Sequence, residues 1–308
     1  MASDKFSHEE DLYNPGHRAC PGCGAALACK YVAEASGENT IMAMPTGCME
    51  VTSTPYPESA WGISWIHNIF ENSAAVSAGI ETAYKSFERR GKEGYMDYDD
   101  VNFVVLAGDG ATFDIGIRSL SGMMERGHNV LYICYDNEAY MNTGIQRSGS
   151  TPLGASTTTS PAGKESFGED IHKKDMPAIA VAHGCKYVAT ANVAYPEDFK
   201  NKIKKALEVD GPKYLQVYAP CPRGWRSEAE SSIEIARLAV QTALHPLFEM
   251  EDGEVTNVMK IRDRKPVEEF LKPQGRFKHL FKKEGGEKII QEIQKIADKN
   301  AEKLDLEK

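Results

Sequence analysis

No run of about 18 or more apolar residues interrupts this 308-residue chain, and no signal peptide precedes its cysteines, so it is expected in the cytoplasm with no membrane span. Positive charge is in short supply: 36 Lys and Arg stand against 45 Asp and Glu, and the net −9 argues against nucleic acid as the main partner. No Gly-x-Gly-x-x-Gly opens a helix after the first apolar strand, which argues against a nicotinamide dinucleotide. No internal repeat is visible. A hydrophobic fraction of 41% and a charged fraction of 26% are ordinary for a globular protein, and the length suffices for one α/β core.

Seven cysteines are present, at positions 20, 23, 29, 48, 134, 185 and 221. In a reducing compartment a Cys-x-x-Cys such as Cys20-Pro21-Gly22-Cys23 is more often a metal or redox site than a disulfide. Cys48 and Cys221 fall in Gly/Pro-rich turns after the apolar runs 41–44 and 214–218. Turns of that kind can present a thiolate and several backbone amides to one inorganic centre. Cys29, Cys134 and Cys185 lie instead on a helical face, inside a strand and ahead of another, and read as small buried hydrophobes. Four loop cysteines remain, the number that ligates a cubane iron–sulfur cluster or a tetrahedral zinc. There is no second Cys-x-x-Cys of the ribbon type, and spacing leaves the two open.

A second constellation pairs Gly108-Asp109-Gly110 with Asn137, 28 positions on, in the segment Tyr135-Asp136-Asn137-Glu138-Ala139-Tyr140-Met141-Asn142-Thr143-Gly144. Each follows an apolar run, 103–107 or 130–135, so both belong at the carboxyl ends of parallel strands, where open α/β sheets bind ligands. A carboxylate and an amide oxygen are hard ligands suited to Mg²⁺ and phosphate oxygens, and the flanking glycines let a diphosphate approach the backbone. Gly-Asp-Gly alone is an ordinary turn. The second element at this distance, also following a strand, argues for a site.

At these residues the chain resembles the thiamine-diphosphate enzymes, whose motif is Gly-Asp-Gly followed by a distant Asn. The resemblance implies that Asp109, Asn137 and the Ala139 carbonyl ligate magnesium. It sharpens further. Pro15 to Gly24 around Cys20 and Cys23, Thr46-Gly47-Cys48-Met49-Glu50, Gly108-Asp109-Gly110, Tyr140-Met141-Asn142-Thr143-Gly144, Gln146-Arg147-Ser148, Thr157 to Pro161, Lys174 to Pro177 and Pro220-Cys221-Pro222 occur in this order in the beta subunit of pyruvate:ferredoxin oxidoreductase. The match covers nearly the whole chain. It implies a 4Fe-4S cluster on Cys20, Cys23, Cys48 and Cys221, and a cofactor site formed by Thr46, Gly47, Cys48, Gly108, Asp109, Gly110, Ala111, Asn137, Ala139, Tyr140, Met141, Asn142 and Thr143. Single-chain members carry Glu where this chain has Ala25, so that cofactor contact is not carried over.

What the resemblance implies in function is thiamine-dependent oxidative decarboxylation of a 2-oxoacid, pyruvate by default, with coenzyme A collecting the acyl group and ferredoxin the electrons. Oxalate and larger 2-oxoacids are handled by relatives with the same frame. Alpha, gamma and delta-type subunits are the implied partners. The glutamate that activates the cofactor comes from another subunit in that family, although Glu50, Glu71 and Glu138 are candidates by sequence. Asn142, reached directly from Asn137, is the residue expected to meet developing negative charge. Two other classes compete: a zinc-stabilised thiamine-dependent lyase that transfers no electrons, and a non-catalytic scaffold, disfavoured because both constellations are intact.

Strands are expected near 41–45, 102–107, 130–135, 186–190 and 214–219, and helices near 24–35, 71–90, 116–126, 196–208 and 229–243. Their alternation implies an α/β fold, a doubly wound and mostly parallel sheet. The Ser/Thr/Gly/Pro-rich stretch 144–176 is too long for a neutral connector and is expected to wall the site. Residues 1–247 form the expected cofactor-binding domain, and 248–308 a C-terminal extension packed on partner subunits. Within the latter, 257–283 carries nine Lys/Arg against three acids and reads as a solvated basic arm or a docking strap. Ile289, Ile290, Ile293 and Ile296 then recur at helical spacing.

Overall fold

A computed structural model describes residues 11–91 and 101–307. In chain order the strands are β1 (Thr40–Pro45), β2 (Ser64–Asn68), β3 (Asn102–Gly108), β4 (Leu131–Asp136), β5 (Tyr187–Asn192), β6 (Lys213–Tyr218), β7 (Phe248–Glu251) and β8 (Glu254–Val258). The helices are α1 (Gly24–Ser36), α2 (Cys48–Ser53), α3 (Ser73–Arg89), α4 (Ile117–Glu125), α5 (Met176–Ala182), α6 (Pro196–Glu208), α7 (Pro222–Trp225), α8 (Ser232–Gln241), α9 (Val267–Leu271) and α10 (Gly286–Lys303).

The eight strands form one sheet in the order β2-β1-β3-β4-β6-β5-β7-β8. The first six are parallel and the last two antiparallel. Every residue of β4, β5 and β6 is buried, as a parallel strand covered by helices on both faces requires. On one face Val32 of α1 and Phe199 and Ile203 of α6 pack over Leu106, Ile133 and Leu215. On the other, Ala74 and Ala78 of α3, Leu120 and Met123 of α4 and Ala180 of α5 cover Val105, Tyr132 and Val188. From β1 the chain steps outward to β2, then crosses back to β3 on the other side of β1. The order thus reverses between β1 and β3, and the crevice beyond their carboxyl ends is where a doubly wound sheet takes its ligand.

Three strands escaped the sequence. β2 is a mostly exposed edge strand, Ser-Trp-Ile-His-Asn, with no apolar run to announce it. β7 and β8 form a hairpin whose turn residues, Asp252 at φ 47° and Gly253 at φ 87°, occupy the left-handed region that an Asp-Gly hairpin turn requires.

The backbone of the basic stretch packs on this chain, while Lys260, Arg262, Lys272, Lys278 and Lys282 stay exposed. Val267, Phe270, Leu271, Phe277 and Leu280 interleave its lysines and bury against Trp225 and Ile235 in a third core. Arg276 is buried with them, Lys283 donates to the carbonyls of Gly163 and Ser166, and Arg264 pairs with Asp298 and Glu307. Ile290, Ile293 and Ala297 of α10 complete that core, so the helical spacing of the isoleucines records packing within this chain. No described helix is long and apolar enough to cross a membrane.

Candidate functional site

Beyond the crevice lies a cavity of about 440 Å³. Its walls include Thr46, Gly47 and Cys48 after β1, Gly108, Asp109 and Gly110 after β3, and Asn137, Ala139, Tyr140, Met141, Asn142 and Thr143 after β4. Every expected cofactor residue is among them except Ala111. Ala111 is buried inside the single π-helical turn Gly110–Asp114, whose Thr112 hydroxyl donates back to the Gly108 carbonyl at 2.7 Å. Sequence reasoning overlooked Ile69, Phe70 and Tyr135, which complete the lining together with Glu71. Ile69 and Phe70 follow the strand that had no apolar signature, and Tyr135 looked like a strand interior.

Asp109 and Asn137 meet at the floor. The Asn137 side-chain amide stands 2.9 Å from the Ala139 carbonyl oxygen and 3.0 Å from Asp109 Oδ1. With its NH₂ turned inward the amide donates to both oxygens. With its oxygen turned inward, three oxygens face one another, the donor set of a small hard cation. The other Asp109 oxygen accepts from Ser148 Oγ at 2.5 Å. Burial, and then the nearby Asp136 carboxylate, push Asp109 well above the usual carboxylate range, against the lowering pull of Ser148 and Lys173. A buried carboxylate in that condition gains most from a cation beside it.

The loop bearing these groups is braced from behind. Glu138, between Asn137 and Ala139, sits at φ 69°, a strained conformation for a side-chain-bearing residue. Its carboxylate accepts from Arg276 Nη2 at 2.5 Å, Lys173 Nζ at 3.2 Å and the Tyr218 hydroxyl at 3.2 Å. Asp136 accepts from Lys173 at 2.6 Å, Gln216 at 2.7 Å and Ser150 at 2.5 Å. Burial pulls Lys173 down, but the two carboxylates prevail and hold it above its ordinary value. The stretch 144–176 therefore acts as a buttress beneath the loop, through Ser148, Ser150 and Lys173, and not as a wall of the cavity itself.

The four loop cysteines gather on the same rim. At Gly22 the Cys20–Cys23 turn has φ 73°, and a Cβ there would strike the Ala229 carbonyl. Gly24 N donates to Pro220 O at 2.9 Å, which docks this turn against the turn of Cys221. Burial pushes the Cys48 thiol up to about 12, and the charges of Cys221, Cys23, Cys20 and Asp109 all add to the rise. Cys221 is pushed up to about 11 by burial, with Cys23 and Cys20 contributing. Cys23, Cys48 and Cys221 are each raised in part by neighbouring thiols, an environment suited to a shared cationic centre. Among the described residues, however, no three His, Cys, Asp or Glu side chains already close around one point as a metal would require. Cys29, Cys134 and Cys185 are buried in the cores, as expected of small hydrophobes.

The three candidate glutamates separate. Glu71 lines the cavity, Glu50 stands 3.8 Å from His67 Nε2, and Glu138 is consumed by its cations. Trp61 is packing, its indole N–H donating to Ser53 Oγ at 2.8 Å.

Comparison with known proteins accords with this geometry. Residues 45–217 match the family described as thiamine pyrophosphate enzyme, C-terminal TPP binding domain. Pyruvate synthase subunit PorB of Methanosarcina barkeri is 52% identical over 95% of this chain and 96% of its own length. The chain belongs to the PorB family, the beta subunits of 2-oxoacid:ferredoxin oxidoreductases. Ketoisovalerate oxidoreductase subunit VorB of Pyrococcus abyssi is 51% identical over 89% of this chain and 88% of its own. A solved structure of 2-oxoglutarate:ferredoxin oxidoreductase from Magnetococcus marinus shares the fold, with a TM-score of 0.58 at 21% identity over 77% of this chain and 82% of that one.

Proposed function

We propose that this chain is the catalytic beta subunit of a cytoplasmic pyruvate:ferredoxin oxidoreductase. In this reading Asp109, Asn137 and the Ala139 carbonyl hold Mg²⁺ and the diphosphate of thiamine diphosphate, and Cys20, Cys23, Cys48 and Cys221 hold a 4Fe-4S cluster. One observation carries it: Cys48 lines the same cavity as Asp109 and Asn137. When bound, thiamine diphosphate supplies the nucleophilic carbon and electron sink for loss of CO₂ from a 2-oxoacid, and the cluster supplies one-electron acceptance beside it.

The chain's own residues bind, orient and shield. Asp109 and Asn137 present oxygens on one side of the floor, while Ser148 and Trp225 fix the loops that carry them. Ile69 and Phe70 supply an apolar part of the cavity wall. Asn142, exposed at the mouth, is free to donate its amide to negative charge developing on the substrate. Glu138 cannot serve the aminopyrimidine, because Arg276, Lys173 and Tyr218 occupy both its oxygens. In this reading, as the family resemblance implies, that carboxylate comes from an alpha-type subunit, with gamma and delta-type subunits and ferredoxin completing the electron path and coenzyme A receiving the acyl group.

A second substrate reading rests on the VorB relative, which is as similar to this chain as the pyruvate synthase subunits are. The same frame then serves a branched 2-oxoacid, with the choice made by the partner subunit. Anaerobic purification with the neighbouring subunits, followed by a 2-oxoacid panel with viologen dye as acceptor, tests both. Pyruvate-dependent dye reduction, a visible cluster absorption and an EPR signal on reduction are expected. A colourless, EPR-silent, zinc-loaded complex would overturn the redox assignment, and measurable turnover by the lone chain would overturn the division of labour.

A further inference from the structure

Tyr135 is a buried residue of β4 whose ring lies on the α1 face of the sheet, among Leu106 and Ile133, and which also lines the cavity. Its hydroxyl stands 3.0 Å from where a Cβ of Gly47 would be and 3.4 Å from that of Gly108. Neither glycine is explained by backbone strain: Gly47 has φ 169°, an extended value open to any residue, and Gly108 is not among the positive-φ glycines. Both loops instead lack side chains where the phenol needs room. The Tyr135 hydroxyl is thereby seated between the loop that carries Cys48 and the loop that carries Asp109.

Three other tyrosine hydroxyls around the site are engaged: Tyr132 with Thr112 at 3.1 Å, Tyr218 with Glu138 at 3.2 Å, and Tyr140 with Gly110 and Asp114 at 3.2 Å each. Among the described residues the Tyr135 hydroxyl has no such partner. Phenols in protein interiors ordinarily find an acceptor, and this hydroxyl, on a residue that lines the cavity, finds none among the described residues. A phenol is a donor at neutral pH. What it lacks is an oxygen, and the open side of the hydroxyl is the cavity.

We propose that the Tyr135 hydroxyl is a binding group that donates a hydrogen bond to an anionic oxygen of the molecule seated over the Asp109 loop. This rests on the cofactor reading above. Two oxygens have the required chemistry, one on the diphosphate of the cofactor and one on the 2-oxoacid.

Tyr135→Phe separates them, because it keeps the ring against Gly47 and Gly108 and removes only the oxygen. In the assembled complex, loss of a donor to a charged acceptor weakens binding roughly ten- to a hundredfold. If the acceptor is the diphosphate, calorimetry shows that loss in thiamine diphosphate affinity at saturating Mg²⁺. If it is the substrate, cofactor affinity is unchanged and the KM for the 2-oxoacid rises by the same factor. Unchanged values of both would overturn the proposal. Tyr132→Phe, which removes the hydroxyl of an equally buried residue that is not part of this cavity's lining, leaves both values unchanged. Gly47→Ala crowds the phenol oxygen and weakens binding in the parent, but much less in the Tyr135→Phe background. A parent complex that fails to bind thiamine diphosphate overturns the cofactor reading itself, whereas equal binding by parent and Tyr135→Phe removes only the role of Tyr135.

Discussion

Arg276 Nη2 donates to Glu138 Oε2 at 2.5 Å across 138 positions of sequence, with both side chains almost wholly buried. The guanidinium also lies 4.1 Å from the centre of the Trp225 ring, and the indole N–H of Trp225 donates to the Asn137 carbonyl at 2.8 Å. A residue of the C-terminal extension thus braces the loop that carries Asn137 and Ala139. Removing one partner of a buried pair leaves the other charge uncompensated, which costs about 3–5 kcal/mol. Arg276→Met is expected to lower stability by that order in denaturant unfolding and to weaken Mg²⁺ binding. Unchanged stability would mean that Lys173 and Tyr218 suffice for Glu138.

Ser148 fixes one oxygen of Asp109 and leaves the other facing Asn137. Partners that orient a metal ligand typically contribute 10–100-fold in affinity, so Ser148→Ala is expected to raise the Mg²⁺ concentration needed for half-saturation by about that factor. Turnover at saturating Mg²⁺ should recover most of the parent value. Equal Mg²⁺ titrations for the two proteins would remove Ser148 from this role.

Asn142 lies exposed at the cavity mouth, so replacing it disturbs no packing. Asn142→Ala is expected to lower kcat by roughly 10²–10³-fold, with cofactor affinity and melting temperature unchanged. A change confined to KM would instead make the residue a substrate grip.

Lys213, at the opposite end of the sheet, is pushed down to about 8 by burial, which outweighs the upward pull of Asp210, Cys185 and Glu81. The unfolded chain binds this proton more tightly, so the lysine detracts from stability below pH 8, and the deficit fades as pH climbs toward the ordinary lysine range. Lys213→Met is therefore expected to be more stable than the parent at pH 7 and to lose that advantage by about pH 10. An advantage independent of pH would place the effect in packing rather than charge.

The parallel core was legible because helix-covered strands such as Phe103 to Ala107 and Leu131 to Tyr135 must be continuously apolar. The edge strand β2 was not, since an exposed strand needs no apolar run. The hairpin β7–β8 left a signal in Asp252-Gly253, but the acidic residues around it masked the alternation. Within the site, the loops were readable because their glycines, cysteines and Asp-Asn pair are local in sequence. The bracing by Arg276, Trp225 and Lys173 was not, because a buried cation at position 276 and a surface lysine in a basic stretch look alike until the fold brings Glu138 to one of them.

The reach from Arg276 to Glu138 sets an order of events during synthesis. A nascent polypeptide whose ribosome has not yet passed codon 276 holds Glu138 without its guanidinium, so the loop between Asn137 and Ala139 lacks its last tether while most of the sheet can already form. In the reading proposed above, an ion would load onto that loop only once residue 276 had joined it, and fragments ending before this point would be poor competitors for it.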